Sequence, residues 1–330
     1  MNIEKLWYNS GSLYYTLLPF SYLYRGVIAA RQLAYRFRLF KKHSFETPII
    51  VIGNLTVGGT GKTPVVIALV QWLLANGFKP GVVSRGYKGK ATSWPQWVTP
   101  ASDPIMVGDE PVLIATKTGV PVIVAPKRVL AVQQLLAEHS CDVVISDDGL
   151  QHYAMSRHFE VAVIDAKRGL GNHQCLPAGP LREPKSRLRT IDYMLVNGGQ
   201  GDNGLQLQTS PIYNIRQPDN VLDYASHQNL AVHAVAGIGN PSRFFQSLMD
   251  LGFQVIPHPR ADHAPLKPTD LEFHDNLPII MTEKDMVKCQ AWCSSRCYAL
   301  PVKAKLPSKF LDAVRLCLDL PTNLTAMSDF

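Results

Sequence analysis

A chain of 330 residues with 46% hydrophobic content can bury a sizeable core and exceeds the size at which a single core usually stops growing, so two domains are expected. Charged residues at 18% and the lack of a long low-complexity tract exclude the disordered and fibrous classes. The net charge of +7 is concentrated in the first 45 residues, where Lys5, Arg25, Arg31, Arg36, Arg38, Lys41 and Lys42 face only Glu4; a nucleic-acid binder more often spreads its basic surface over the folded body, so no nucleic-acid partner is expected.

The arm formed by residues 1–45 is read as a basic, amphipathic, membrane-associating segment. From Leu13 to Tyr24 it is apolar and aromatic but broken by Thr16, Pro19 and Ser21, and it falls short of the roughly 20 apolar residues that span a bilayer. After Pro19, Leu23, Val27, Ala30, Ala34 and Phe37 recur at helical spacing, with Arg25 and Arg36 opposite and Arg31 and Arg38 flanking the stripe. Six of the twelve tyrosines lie here beside Trp7, as suits rings at headgroup depth. The rival expectation is a helix whose apolar stripe packs on the protein's own core.

Residues Ile49 to Ile52 form a β-branched run that predicts a buried parallel strand. The segment that follows, Thr56, Val57, Gly58, Gly59, Thr60, Gly61, Lys62 and Thr63, is a phosphate-binding loop. Its glycines let backbone N–H groups converge on phosphate oxygens, Lys62 supplies a point charge, and the Thr63 hydroxyl suits Mg²⁺. Pro64 and the apolar residues after it open a helix whose positive end faces the anion. One departure stands out: Thr56 occupies the place of the usual first glycine, which predicts an altered loop entry. ATP and Mg²⁺ are the expected cofactors.

Further strands are predicted near 80–84 and 122–125, with Gly108-Asp109-Glu110-Pro111 in a loop between them; the residues alone do not choose between Asp109 and Glu110 as a base. Cys141 to Ser146 predicts a buried strand ending in Asp147-Asp148, the place where phosphate-loop enzymes hold their metal. Strands near 161–165 and 193–196 complete a parallel, doubly covered α/β sheet. After the glycine-rich segment 198–204, strands near 231–235, 253–257, 278–281 and 298–302 predict a smaller second α/β domain carrying Asp262-His263. The expected division is an arm at 1–45, a core at 46–200 and a second domain at 201–330 that closes an active-site cleft. The six cysteines, without a secretory pattern, predict reduced thiols and a cytoplasmic setting; Cys289, Cys293 and Cys297 are spaced to share a helical face.

The loop GGTGKT, SRGY at 84–87, GDEP at 108–111, DDGLQH at 147–152, LPAGPLREP at 176–184, AGIGNPSRFF at 236–245 and TEKD at 282–285 occur in order along most of the chain. In this set the chain resembles the tetraacyldisaccharide 4'-kinases. The resemblance implies ATP-dependent phosphorylation of the 4' hydroxyl of a tetraacyl glucosamine disaccharide 1-phosphate, at the cytoplasmic face of a bacterial inner membrane, by a peripheral enzyme. It also implies Asp109 as proton acceptor assisted by His263, Asp147 and Asp148 as metal and nucleotide carboxylates, and Arg128 and Arg182 as arginines for phosphate charge. Further active-site candidates are Gln151, His152 and Glu183. The acylated lipid and the membrane surface are the implied partners, and no protein partner is indicated.

Two other readings predict different behaviour. A regulatory GTPase would carry a guanine-selecting NKxD run, and the chain has none where one is needed. A soluble phosphate-loop kinase or ligase acting on a small acceptor would use the arm structurally and would not bind membranes.

Overall fold

The structure, a computed structural model, describes residues 7–8, 14–222 and 229–318. Of the arm before Tyr14, only Trp7 and Tyr8 fall within them. The described chain divides into two compact units: residues 1–85, 125–206 and 305–330 form one, and residues 86–124 and 207–304 the other. The contiguous boundary expected at residue 200 is therefore corrected. Residues 86–124, which carry Asp109, group with the later segment, because sequence order does not reveal which distant strands and helices pack together.

In the first unit the strands lie in the order Gly204–Thr209, Tyr193–Asn197, Phe159–Asp165, Ile49–Gly53, Val143–Asp147 and Pro80–Ser84, with neighbours paired parallel. Ile49 to Gly53 are buried at every position. That continuous burial is why the strand is an uninterrupted β-branched run: a central parallel strand is covered on both faces. The Cys141 to Ser146 expectation is adjusted: the strand starts two residues later and ends one later, at Val143–Asp147, so Asp147 is its last residue and Asp148 the first beyond it. Helix Ser308–Cys317 returns to this unit, with Phe310 fully buried against Tyr193 at 5.2 Å between ring centroids.

Helix Tyr14–Arg36 also belongs to this unit and starts earlier than expected, with Pro19 inside it. It packs through its polar face. Ser21 Oγ donates to Cys175 O at 2.7 Å, Tyr24 OH to Arg182 O at 3.1 Å, and Gln32 Nε2 to Tyr153 OH at 2.9 Å. The apolar stripe faces away, with Leu23 69%, Val27 61% and Phe37 69% exposed. The expectation that this stripe packs on the protein's own core is thus not met.

The second unit holds a six-stranded sheet in the order Val221–Leu222, Ile212–Asn214, Cys297–Leu300, Ile279–Thr282, Ala231–Ala236 and Gln254–Pro259, parallel except for the first two pairings. Helices Pro241–Asp250 and Glu283–Cys289 cover it, and helix Asp109–Thr118 packs against the latter. Cys289, Cys293 and Cys297 are buried free thiols, but the helix ends at Cys289 and Cys297 begins a strand, so the shared helical face does not form.

Candidate active site

In the first unit the chain leaves strand Ile49–Gly53 and reaches helix Lys62–Ala75 through the phosphate-binding loop. Gly58 and Gly61 adopt φ of 99° and 92°, which glycine alone reaches without strain. Gly61 is the N-cap and offers no side-chain hydrogen bond, so the first N–H groups of the helix stay open to an anion. The Thr60 hydroxyl is buried without a hydrogen-bond partner. These are the features of a cradle built for phosphate.

Thr56 is explained by what it pairs with. It forms an antiparallel bridge with Leu181, while Val57 N donates to Pro180 O at 2.8 Å and Arg182 N to Leu55 O at 2.6 Å. The loop entry is thus extended backbone clasped by the Pro180–Arg182 segment, a conformation that does not need glycine. Asn54, fully buried, completes the loop. Its amide donates to the carbonyls of Thr56 at 2.8 Å and Gly58 at 3.2 Å, and its Oδ1 accepts from Lys62 Nζ at 3.1 Å.

The strand end supplies the carboxylates. Asp147, buried at 1% exposure, accepts from Ser84 Oγ at 3.1 Å. Asp148 sits at φ 50°, which turns its side chain toward Lys62 Nζ at 3.5 Å and Arg182 Nη1 at 3.0 Å. Burial alone would raise the Asp148 carboxyl, but Lys62, Arg182 and Arg128 hold it well below the usual carboxylate range. Arg128 is buried beside it and donates to Asp148 O at 2.8 Å; burial brings its guanidinium down to about 10. Among the described residues no group of three or more His, Cys, Asp or Glu could hold a metal unaided. The donor set fits Mg²⁺ rather than a fully protein-caged ion, since Mg²⁺ takes one or two carboxylates together with phosphate oxygens.

A cavity of about 610 Å³ adjoins this carboxylate and is lined by Arg31, Arg85, Lys127, Arg128, Arg182 and His152, among others. Burial, and then the surrounding arginines, lower the His152 imidazole to about 4, so it is neutral near pH 7, and its Nε2 is buried without a hydrogen-bond partner. Gln151 also lines the cavity. Glu183 does not; it is fully buried among Gln32, Tyr153, Gln151 and Arg187.

The second unit carries its own charged cluster. Asp109 is the first residue of helix Asp109–Thr118 and is 4% exposed. His263 Nδ1 lies 2.8 Å from Asp109 Oδ1, with His263 itself at φ 60°. Two lysines spaced four apart on helix Glu283–Cys289 share a face. Lys288 Nζ lies 3.3 Å from Asp109 Oδ2; Lys284 Nζ reaches Glu110 Oε1 at 3.1 Å, Asp262 Oδ1 at 3.2 Å and His263 Nε2 at 3.1 Å. Burial pushes the Asp109 carboxyl up, but the His263 hydrogen bond and the two ammonium groups outweigh it and hold the carboxyl well below the usual range. Lys284 is raised above its ordinary value because its three carboxylate neighbours outweigh its burial.

A family description, tetraacyldisaccharide-1-P 4'-kinase, matches residues 13–318. The chain belongs to this kinase family. It is 48% identical over 311 residues to the tetraacyldisaccharide 4'-kinase of Coxiella burnetii strain RSA 331, covering 94% of this chain and 93% of that one. The corresponding protein of Nitrosococcus oceani is 46% identical over 310 residues, 93% and 91% of the two chains. The crystal structure of LpxK from Aquifex aeolicus, described as an "apo" form in complex with ATP, superposes with a TM-score of 0.77 at 27% identity, covering 93% of this chain and 99% of that one.

Within this kinase frame the structure brings Lys62, Asp148, Arg128 and Arg182 together in one unit and Asp109 with His263 in the other. Sequence reasoning passes over Asn54, Arg85, Lys284 and Lys288. Arg85 and Lys284 lie inside quoted segments, SRGY and TEKD, and the four-residue spacing of the lysines was a readable signal. Asn54 carried none, because its importance lies in three side-chain contacts that only the folded loop creates.

Proposed function

We propose that this kinase transfers the γ-phosphoryl group of ATP to the 4' hydroxyl of a tetraacyl glucosamine disaccharide 1-phosphate, working as a peripheral protein at the cytoplasmic face of a bacterial inner membrane. The observation that carries the reading is the uncapped, glycine-entered helix start at Lys62 in a chain that also buries an ionised carboxylate, Asp109, against a histidine. The ATP-bound Aquifex relative supports the nucleotide.

The phosphates take the open N–H groups between Gly58 and Thr63, with Lys62 beside them. Thr63, Asp147 and Asp148 would hold Mg²⁺, which would supply positive charge to neutralise the phosphates. Lys62, Arg128 and Arg182 stabilise the charge that spreads over the transferring oxygens, the largest demand phosphoryl transfer makes on a protein. Asp109 accepts the hydroxyl proton late in transfer, with His263 fixing its orientation. A carboxylate held far below neutrality is a weak base, and this suits a loose transition state in which the alcohol needs little activation.

The exposed stripe of Leu23, Val27 and Phe37, flanked by Arg31 and Arg38, supports an in-plane membrane contact. No described helix is long and apolar enough to cross a bilayer. Transfer of labelled γ-phosphate from ATP to the detergent-dispersed acceptor, beside a Lys62→Ala control, tests the function. Labelled bisphosphorylated lipid, absent in the control, is expected; Lys62-dependent hydrolysis without lipid labelling would favour another acceptor.

A further inference from the structure

The interfacial helix and the nucleotide loop are joined by a continuous run of polar contacts through a buried carboxylate. On the helix, Gln32 Nε2 donates to Glu183 Oε1 at 3.2 Å and to Tyr153 OH at 2.9 Å. Tyr153 OH also bonds Glu183 Oε1, through a short contact. The other oxygen, Oε2, accepts from Gln151 Nε2 at 3.2 Å. The same Gln151 amide lies 3.4 Å from the carbonyl of Asn54, whose side chain clasps Thr56, Gly58 and Lys62. All of these residues lie in the first unit.

Each junction in this run has limited alternatives. Glu183 and Asn54 are fully buried, so neither can exchange a lost partner for bulk water. Gln151 has two amide hydrogens and spans the gap between Glu183 and Asn54, so its rotamer follows the Glu183 carboxylate. Gln32 and Tyr153 hydrogen-bond one oxygen of that carboxylate, with Arg187 Nε 3.8 Å away, and so set where it sits. Helix Tyr14–Arg36 is also tied to the body through Ser21 and through Tyr24, whose partner Arg182 clasps the loop entry by backbone alone, while Gln32 is the helix residue whose side chain bonds Glu183.

We propose that Gln32 and Tyr153 are positioning residues which, through Glu183 and Gln151, make correct seating of helix Tyr14–Arg36 a condition for an ordered Asn54–Lys62 clasp in the phosphate-binding loop. Glu183 thereby acts as a structural relay between the membrane-facing helix and the nucleotide site, not as a group that touches the reacting atoms. The consequence is that nucleotide affinity depends on a residue of the helix whose other face is exposed. The inference rests on the nucleotide-site reading given above.

The test is a double-mutant cycle on the full chain, with Gln32→Met and Gln151→Met singly and together, reading the Kd of a non-hydrolysable ATP analogue with Mg²⁺, the thermal midpoint and flotation on anionic vesicles. Gln32→Met is expected to weaken nucleotide binding by about threefold to thirtyfold, the range typical of coupling through packed networks. Flotation should be unchanged, and the double variant should bind no more weakly than the weaker single one. A purely structural role would lower the midpoint and leave the two effects additive. Tyr153→Phe, which keeps the ring and removes only the hydroxyl, gives a second route should Gln32→Met fold poorly, and its nucleotide Kd is expected to rise in the same range. Wild-type binding of the analogue with an unchanged Kd in both Gln32→Met and Tyr153→Phe would overturn the relay; absence of analogue binding by the wild type would instead overturn the nucleotide-site reading.

Discussion

Lys284 Nζ lies 3.1 Å from His263 Nε2, while the opposite ring nitrogen, Nδ1, lies 2.8 Å from Asp109 Oδ1. An ammonium group can only donate, so Nε2 accepts and the ring hydrogen is left on Nδ1, directed at the carboxylate. Lys284 thus selects the tautomer that orients Asp109. Lys284→Met is expected to lower kcat by about tenfold to a hundredfold, as removal of an orienting partner does, with the Kd for an ATP analogue unchanged. Steady-state kinetics beside calorimetric titration check this, and an unaltered kcat would remove Lys284 from the catalytic arrangement.

Asp109→Asn is expected to keep nucleotide binding and reduce turnover by about a hundredfold to ten-thousandfold, the usual contribution of a general base. It also leaves Lys288, whose side chain is 7% exposed, with Asp285 as its remaining anionic partner. A lower thermal midpoint should therefore accompany the lost activity. Turnover at the wild-type level would show that another group takes the proton.

Asn54→Ala removes three side-chain contacts at once and strands the carbonyls of Thr56 and Gly58. Each unsatisfied group costs about 1–3 kcal/mol, so the variant should be measurably less stable by denaturant unfolding. Its nucleotide Kd should rise more than tenfold, since Lys62 loses its guide. Unchanged affinity would mean that the backbone holds the loop without the clasp.

These predictions divide along the line between what the chain reveals in order and what it reveals only when folded. The phosphate-binding loop was legible because its strand, glycines, lysine and helix are contiguous, and Asp147-Asp148 because a buried strand ends on them. Asp109 and His263 lie 154 residues apart, and only the family resemblance paired them before the structure did. The periodicity of residues 23–37 identified an amphipathic helix but not which face docks: Ser21, Tyr24 and Gln32 are polar, and nothing local marks them as the packing side. The assignment of residues 86–124 to the second unit was hidden for the same reason, since grouping is a property of distant contacts.

Acid sensitivity provides a further test. Burial and the neighbouring arginines lower His152 from its ordinary 6.5 to about 4. A depressed imidazole contributes stability that is fully present above pH 6.5 and is lost as pH falls through the folded value near 4. Asp109 and Asp148 are also depressed, and their contribution is lost only below the ordinary carboxylate value. The thermal midpoint should therefore begin to fall below pH 6.5, and His152→Gln should flatten the decline between 6.5 and 4. Identical profiles for the two proteins would refute the assignment.

Leu23→Asp combined with Val27→Asp places two charges on the exposed stripe and disturbs no described contact to the body. Flotation on anionic vesicles should be lost, while the thermal midpoint and the nucleotide Kd stay within error of the wild type. Retained flotation would assign membrane contact to other residues.

The order in which the chain visits its two units also constrains how the protein can be divided. It passes between them at residues 85/86, 124/125, 206/207 and 304/305, so each unit is assembled from pieces that are not neighbours in the gene. No single cut yields two self-sufficient halves. A fragment ending near residue 200 would contain Asp109 without helix Glu283–Cys289 and its lysines, against which its own helix packs, and it would lack helix Ser308–Cys317, whose Phe310 lies against Tyr193. During synthesis the ribosome releases the phosphate-binding loop long before residues 180–182, which clasp its entry, so the site that holds the nucleotide matures only after much of the chain has emerged.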